Sequence, residues 1–155
     1  MRSTSHGVLV FSPEAELLLC HATGTRHWDI PKGMANEGEE SSDAARREAR
    51  EECGLELDAV SLLPLGRFAY RPQKDLALHA ALVERIDPSR CMCSTVFSDR
   101  WGRVRPEMDA FRWARLDEVP ALCAKSMVEV LTRKVALPEV FAQLQAGRGR
   151  ALDRA

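Results

Sequence analysis

Apolar residues gather early in the chain into two short runs, Gly7-Val-Leu-Val-Phe11 and Leu17-Leu-Leu-Cys20, separated by Ser12-Pro13-Glu14-Ala15. Runs of this length bounded by turn residues predict a hairpin or strand-loop-strand start. From Arg26 to Gly33, alternation brings Trp28 and Ile30 to one side before Pro31 ends the strand. Leu55 to Leu65 alternates unevenly and reads as a strand, followed by Gly66-Arg-Phe-Ala-Tyr70. Asp75 to Ile86 is the longest strand-like run, and it predicts a hairpin with the preceding segment across Arg71-Pro72-Gln73-Lys74. His79, inside that run, reads as a core or edge histidine with a satisfied ring. Asp87 to Pro106 has little periodicity and reads as a long loop, which in a compact domain is usually functional or mobile. A strand follows at Ala110 to Arg115, and Leu116 to Pro120 turns into helix. Two helices are predicted at about 125–135 and 138–146, with Pro138 in a first turn. The pattern gives one domain over residues 1–146 and a flexible tail over 147–155, with no internal repeat.

The strongest helical signal lies between Ser41 or Ser42, either of which can cap free backbone N–H groups, and Gly54, a left-handed stop. At 100° per residue, Glu48, Glu51 and Glu52 fall within one arc of roughly 100°, with Glu48 and Glu52 one turn apart. Ala45, Ala49 and Cys53 form a neighbouring stripe of small side chains that allows close packing. Arg46, Arg47 and Arg50 are expected to turn the other way. Like charges at these spacings repel, so the arrangement is either a plain solvated face or a grip for cations. Mg²⁺ favours carboxylate and water oxygens together with substrate phosphate.

The wider context, Gly33-x5-Glu39-x7-Arg47-Glu48-Ala49-x-Glu51-Glu52-x-Gly54-Leu55, resembles the Nudix box, with all seven fixed Gly, Glu and Arg positions present. Ala49 stands where a bulky aliphatic residue is usual, which should alter packing rather than metal binding. The resemblance, weaker outside the box, extends over roughly residues 5 to 135. It implies an α/β fold: an α/β/α sandwich with a mixed β-sheet and the box as loop-helix-loop. It implies that Gly33 or its neighbour offers a backbone carbonyl to the metal, and that Glu39 holds the loop through Arg47. Pro106 to Trp113 is similar to a family segment in which an acid precedes an aromatic-x-Trp strand. Glu107 best matches that acid, with Asp109 second, as a further metal ligand or general base.

These features together predict metal-dependent hydrolysis of the pyrophosphate bond in a nucleoside diphosphate linked to another moiety, of the dinucleoside polyphosphate, dNTP or ADP-ribose type. The resemblance implies Mg²⁺ or Mn²⁺ as cofactor, held by Gly33, Glu48, Glu51, Glu52 and Glu107, where a metal ion would neutralise phosphate oxygens and activate water. Either Glu48 or Glu107 serves as the base, Glu51 belongs to the catalytic group, and Arg47 orients a carboxylate. Lys32, beside a glycine that permits close approach, offers a cation for phosphate, as do Arg71 and Lys74. Tyr70, Phe68 or Trp101 could stack on a base, whereas Phe111 and Trp113 belong to the core. The likeness is nearest to dinucleoside polyphosphate and nucleotide pyrophosphohydrolases, although Tyr70 and Pro72 lie 15 and 17 residues beyond Leu55, matching neither branch's marker. Alternatives are a nucleotide-sensing module without turnover, which would usually lose box acids, and a prenyl diphosphate isomerase, which needs a cysteine motif not found here.

Composition narrows the partners. At 155 residues with 45% hydrophobic content and a formal net charge of −1, the chain is an ordinary globular protein. With a pI of about 6.4, it has no general field for a nucleic acid polymer or an anionic membrane. No apolar run approaches a bilayer span and the start lacks a signal-peptide core, so a soluble cytoplasmic protein is expected. Five cysteines, an odd number, argue against a disulfide framework, and Cys91-Met-Cys93 lacks companions for a zinc site. A homodimer is possible, and an exposed apolar strand edge at the N-terminus would support one.

Overall fold

β1 (Ser3–Phe11) organises the sheet because its alternate residues face two different layers. The computed structural model describes residues 2–153. β2 (Glu16–Ala22) follows β1 through the expected turn, with Phe11 opposite Leu17. Beyond that pair the two strands part. Into the opening come β3 (Trp28–Asp29), which pairs with β2, and β4 (Lys32–Met34), which pairs with β1 through Ser5–Met34, His6–Gly33 and Gly7–Lys32. On the other side of β1 runs β6 (Lys74–Leu82), parallel to it from Ser3–Lys74 to Phe11–Leu82. β5 (Leu63–Arg71) and β6 form the predicted hairpin, with Gln73 at φ 63° in its turn. The order is β3-β2-β1-β6-β5, with β4 on β1 and β9 (Met108–Arg115) on β2. One parallel contact among antiparallel ones makes this a mixed sheet.

Leu9 and Phe11 share a face with Leu17, Leu19, Leu76 and Leu78. This face is covered by α3 (Lys125–Glu129), its continuation as a π turn over Val130–Lys134, and α4 (Leu137–Asp153), through Met127, Leu131 and Val140. Val8 and Val10 point the other way, with Leu18 and Cys20, and there α1 (Ser41–Cys53) packs through Ala45, Ala49 and Cys53. Helices on both sides of a mixed sheet realise the expected sandwich. None of the helices among the described residues is long and apolar enough to cross a membrane.

Several local expectations are corrected. Neither serine caps α1: Glu40 occupies that position in an extended conformation without a side-chain bond, and Ser41 is spent elsewhere. Gly54 does end the helix, at φ 74°, with its N–H donating to the Arg50 carbonyl at 2.9 Å. Residues 55–62 are not a strand. They form a coil under α1, with Leu57 buried and the carbonyls of Leu57 and Val60 accepting from the Arg46 guanidinium. Their uneven alternation reflects burial against one helix instead of pairing. Within residues 87–106 there is a 3-10 turn (Pro88–Arg90) and a second, two-stranded sheet of β7 (Val96–Ser98) and β8 (Val104–Pro106). Three-residue strands are too short to show a period. α4 passes the expected helix end at 146 and runs to Asp153, so the expected tail is helical over 147–153; 154 and 155 lie outside the described residues. β1 is central in the sheet, so the N-terminal strand edge that would have supported a homodimer is absent. A short α2 (Val119–Leu122) completes the chain's helices among the described residues.

Candidate active site

The wedge between β1 and β2 delivers Gly33 to the face beneath α1. A Cβ on Gly33 would overlap the Glu48 carboxylate, so only glycine lets that side chain lie against the β4 backbone. Gly7 serves the other side of the same crossing: a Cβ there would stand 3.0 Å from both Lys32 Cβ and the Pro31 carbonyl. The box helix and the incoming strand are thereby brought to backbone distance.

Three box acids come into one electrostatic neighbourhood. Glu52 is 4% exposed, and its Oε1 accepts the Lys32 backbone N–H at 2.7 Å. Burial pushes its pKa up to about 8, with Glu48 and Asp29 adding repulsion and Lys32 working against them. Glu48, 9% exposed, is also raised, again chiefly by burial, with Arg47 opposing and the charges of Glu51 and Glu107 adding to the rise. Glu107 therefore belongs to the same electrostatic neighbourhood, at the end of β8, where its N–H donates to the Thr95 carbonyl at 3.0 Å. Glu51 is more open, and its backbone carbonyl accepts the Ser94 N–H at 2.7 Å.

Arg47 does not turn away as expected. Its Nη1 donates to Glu48 Oε1 at 2.9 Å and Glu51 Oε2 at 3.0 Å, its Nε to Glu39 Oε2 at 3.0 Å, and its Nη2 to the Met34 carbonyl at 2.8 Å. The Glu39 bond is the main reason its pKa is raised, and it holds the Glu39 carboxylate below the usual range in return. Glu39 also accepts the Asn36 N–H at 2.9 Å, so the pair ties the box loop to the helix. No three Asp, Glu, His or Cys side chains among the described residues converge on one point as a ready cage.

Four expected substrate contacts, Lys32, Tyr70, Arg71 and Lys74, fall outside this group. Strand alternation sends Gly33 toward α1 and Lys32 to the opposite layer, where Lys32 lies beside the Gly7 and Ile30 positions and its Nζ donates to Asp29 Oδ2 at 2.7 Å. Burial disfavours that ammonium, but Asp29, helped by Tyr70 and Glu52, keeps its pKa above the ordinary value. Tyr70 is 8% exposed within the core of that layer and is no open platform for a base. Arg71 lies over the Tyr70 ring and reaches Ser126 at the start of α3. Lys74 stands opposite Ser3, about three residues or roughly 10 Å along β1 from the His6–Gly33 pair. Asp109 is drawn to His21, with Oδ1 and Nδ1 2.5 Å apart, leaving Glu107 as the acid near the cluster. Trp113 is buried and donates to the Ile86 carbonyl at 2.8 Å, and Phe111 packs against the same core.

A relay of side chains that no local sequence signal marks lies beneath the helix. His6 Nδ1 lies 2.7 Å from Ser41 Oγ, which lies 3.2 Å from His79 Nε2, joining β1, α1 and β6. Burial lowers the pKa of both histidines, helped by Arg67 at His6 and by His6 at His79. All five cysteines are free; Cys20 and Cys53 meet Sγ to Sγ at 2.8 Å under α1. A cavity of about 650 Å³ between the 60–63 segment, the end of β6 and α4 is lined by none of the box acids.

A sandwich of this topology, with a glycine-cradled acid cluster on the helix between β4 and β5, defines a domain class, and a profile described as the NUDIX domain matches residues 1–134. The chain belongs to the NUDIX family. It is similar to an uncharacterised 17.7 kDa protein of the e-segB intergenic region of Enterobacteria phage T4, at 37% identity over 72% of this chain and 81% of that protein. It is 26% identical to an RNA pyrophosphohydrolase of Bartonella clarridgeiae, covering 83% and 85% of the two chains. With the asymmetrical bis(5'-nucleosyl)-tetraphosphatase of Sus scrofa it shares 30% identity over 74% of each. In three dimensions it resembles a C. elegans Ap4A hydrolase in a binary complex, with a TM-score of 0.59, 20% identity, and coverage of 92% and 98%.

Proposed function

We propose that this chain is a pyrophosphohydrolase that depends on Mg²⁺ or Mn²⁺ and cleaves a P–O–P bond in a nucleoside diphosphate joined to a second moiety. The observation that carries this reading is the pair of buried glutamates, Glu48 and Glu52, on the same helix as Glu51, with the Glu48 carboxylate lying where any side chain on Gly33 would stand. A helix built for stability alone would not bury like charges whose pKa values rise as a result. The carboxylate donors are all oxygen, to which the Gly33 carbonyl would add another, and such a set suits a hard divalent cation. Relatives named as an RNA pyrophosphohydrolase and an asymmetrical bis(5'-nucleosyl)-tetraphosphatase support the same bond class.

Glu48, Glu51, Glu52 and Glu107 would hold the cation. Bound there, it would neutralise phosphate oxygens and lower the pKa of water. Glu48 is the first candidate to take the proton from that water and Glu107 the second, since Glu107 lies close enough to raise the Glu48 pKa. Arg47 aims the carboxylates of Glu48 and Glu51 with one nitrogen while its others anchor the loop through Glu39 and Met34. Lys32 acts by position: its backbone N–H fixes Glu52, and its ammonium stays with Asp29.

The test is a metal-dependent hydrolysis panel over dNTPs, ADP-ribose, dinucleoside polyphosphates and coenzyme A, with the two phosphorylated products of each resolved by chromatography. Glu51→Gln and Glu52→Gln should each lower turnover by orders of magnitude with the circular dichroism spectrum unchanged. Activity near wild type in either variant would remove the assigned roles.

A further inference from the structure

Because Lys32, Tyr70 and Arg71 face the other layer, the acid cluster's own side needs a different source of cations and aromatic surface. The β7–β8 hairpin supplies both. It springs from the site: the Ser94 N–H donates to the Glu51 carbonyl at 2.7 Å, and Glu107 closes its base against Thr95 at 3.0 Å. At its tip Trp101 is 65% exposed, with the Arg100 guanidinium 4.2 Å and that of Arg103 5.1 Å from the ring centroid. Three arginines, Arg100, Arg103 and Arg105, stand there against one aspartate, in a chain whose net charge is −1. That aspartate is already spent. Asp99 Oδ1 accepts the Trp101 and Arg103 N–H groups at 2.9 and 3.0 Å, its Oδ2 accepts Arg103 Nε at 3.0 Å, and Gly102 takes φ 78° to close the turn. Arg100 and Arg105 form no ion pair or side-chain hydrogen bond among the described residues.

We propose that this tip is a binding site for a second nucleotide unit of the substrate, its base stacking on Trp101 and its phosphate meeting Arg100 and Arg105. The idea rests on the hydrolase reading for where the reacting phosphates lie. An indole flanked by guanidinium groups offers the sequence-tolerant stacking and cation contacts that nucleotides use. The fixed turn loses little freedom on binding. From Glu107 to Arg103 is four residues, roughly 13 Å of extended strand, so a base at the tip belongs to a unit joined through the phosphate chain and not to the phosphate under attack. The favoured source is a dinucleoside polyphosphate; a 5'-triphosphorylated oligonucleotide presents the same chemistry.

The test is calorimetric titration of the full chain in EDTA, where binding is read without turnover, using ATP, diadenosine tetraphosphate and a 5'-triphosphorylated dinucleotide. The expected result is that a two-nucleotide ligand binds about tenfold more tightly than ATP, and that Trp101→Ala removes most of that advantage. Arg100→Glu combined with Arg105→Glu should also remove it and flatten the salt dependence of binding. A gain for the dinucleoside ligand identifies that source, and a gain for the oligonucleotide alone identifies RNA ends; either supports the site. Equal affinity for all three ligands, no binding, or unchanged binding in both variants would overturn it. So would a change of oligomeric state by sedimentation in Trp101→Ala with ligand affinity intact, which would make the exposed Val96, Trp101 and Val104 a contact between copies. Hydrolysis in magnesium is read separately. Trp101-dependent binding without metal-dependent hydrolysis rejects the hydrolase reading, and the converse rejects only the hairpin site.

Discussion

Beneath α3 and α4 the sheet is packed by Leu9, Phe11, Leu19, Leu78, Met127 and Leu131, large apolar side chains with almost no exposure. Across the same strands, the layer beneath α1 is filled by Ala45, Ala49 and Cys53, and it buries His6, His79, Glu48 and Glu52. One strand, β1, feeds both: its odd positions supply the first layer and its even positions the second. Apolar burial contributes roughly 25 cal/mol per Å², whereas a buried carboxylate costs free energy unless it is paired. The α3/α4 layer therefore holds the fold, and the surplus allows the α1 layer to keep charges at close quarters. The small stripe of Ala45, Ala49 and Cys53 fits this division, because it lowers α1 far enough for Glu48 to touch the backbone at Gly33.

The comparison breaks most visibly at Gly33. Gly33→Ala should displace the Glu48 carboxylate and lower hydrolysis by about 100-fold or more with the fold retained, because small misplacements of catalytic groups are costly. Near-normal turnover would show that the cradle is irrelevant. On the other layer, Leu131→Ala should cost about 2–5 kcal/mol in chemical denaturation while turnover per folded molecule stays within about twofold. A parallel collapse of turnover would mean the layers are not separable.

Glu52 sharpens the contrast through pH. Its folded pKa, about 8, lies above the ordinary value of 4.5, so the folded state keeps a proton that the unfolded chain has lost. The metal-free protein is thus penalised progressively as pH rises from about 4.5 to about 8, and the penalty is absent below that window. Glu52→Gln should stabilise the metal-free protein by about 2 kcal/mol at pH 8, or about 4–8 °C in Tm, with little gain at pH 5. An unchanged or lower Tm at pH 8 would show that the buried charge carries no strain. The smallest effect is expected at Ser41→Ala, which leaves His6 and His79 facing each other without the hydroxyl between them. Thermal melts should show a loss of about 1 kcal/mol, and no loss would mean that the relay is not structural.

How much of this was legible depends on the range of each signal. The box could be read because its glycines, glutamates and Arg47 sit on one helix and its loops, where spacing alone decides which residues share a face. β1, β2 and β6 were legible as continuous apolar runs, since each is buried by both layers. Lys32 points away from the box acids for a local reason: a new strand starts at Lys32 directly after Pro31, and in a strand Lys32 and Gly33 must point apart. Ser41 was read as a cap because nothing local reveals that β1 and β6 bring two histidines to it. The direction of Arg47 was missed because a long side chain follows its partners in the box loop more than its helical angle. β7 and β8 stayed hidden because Asp99 and Gly102 build their turn from hydrogen bonds and a left-handed φ, not from periodicity.

The central claim, that crowded glutamates under a glycine cradle exist to bring a divalent cation to a P–O–P bond, is tested most directly by one rate measurement. Initial hydrolysis of diadenosine tetraphosphate by the purified chain is followed in EDTA and across a magnesium titration. The account predicts no turnover in EDTA and a saturable rise with magnesium; undiminished cleavage in EDTA would contradict it.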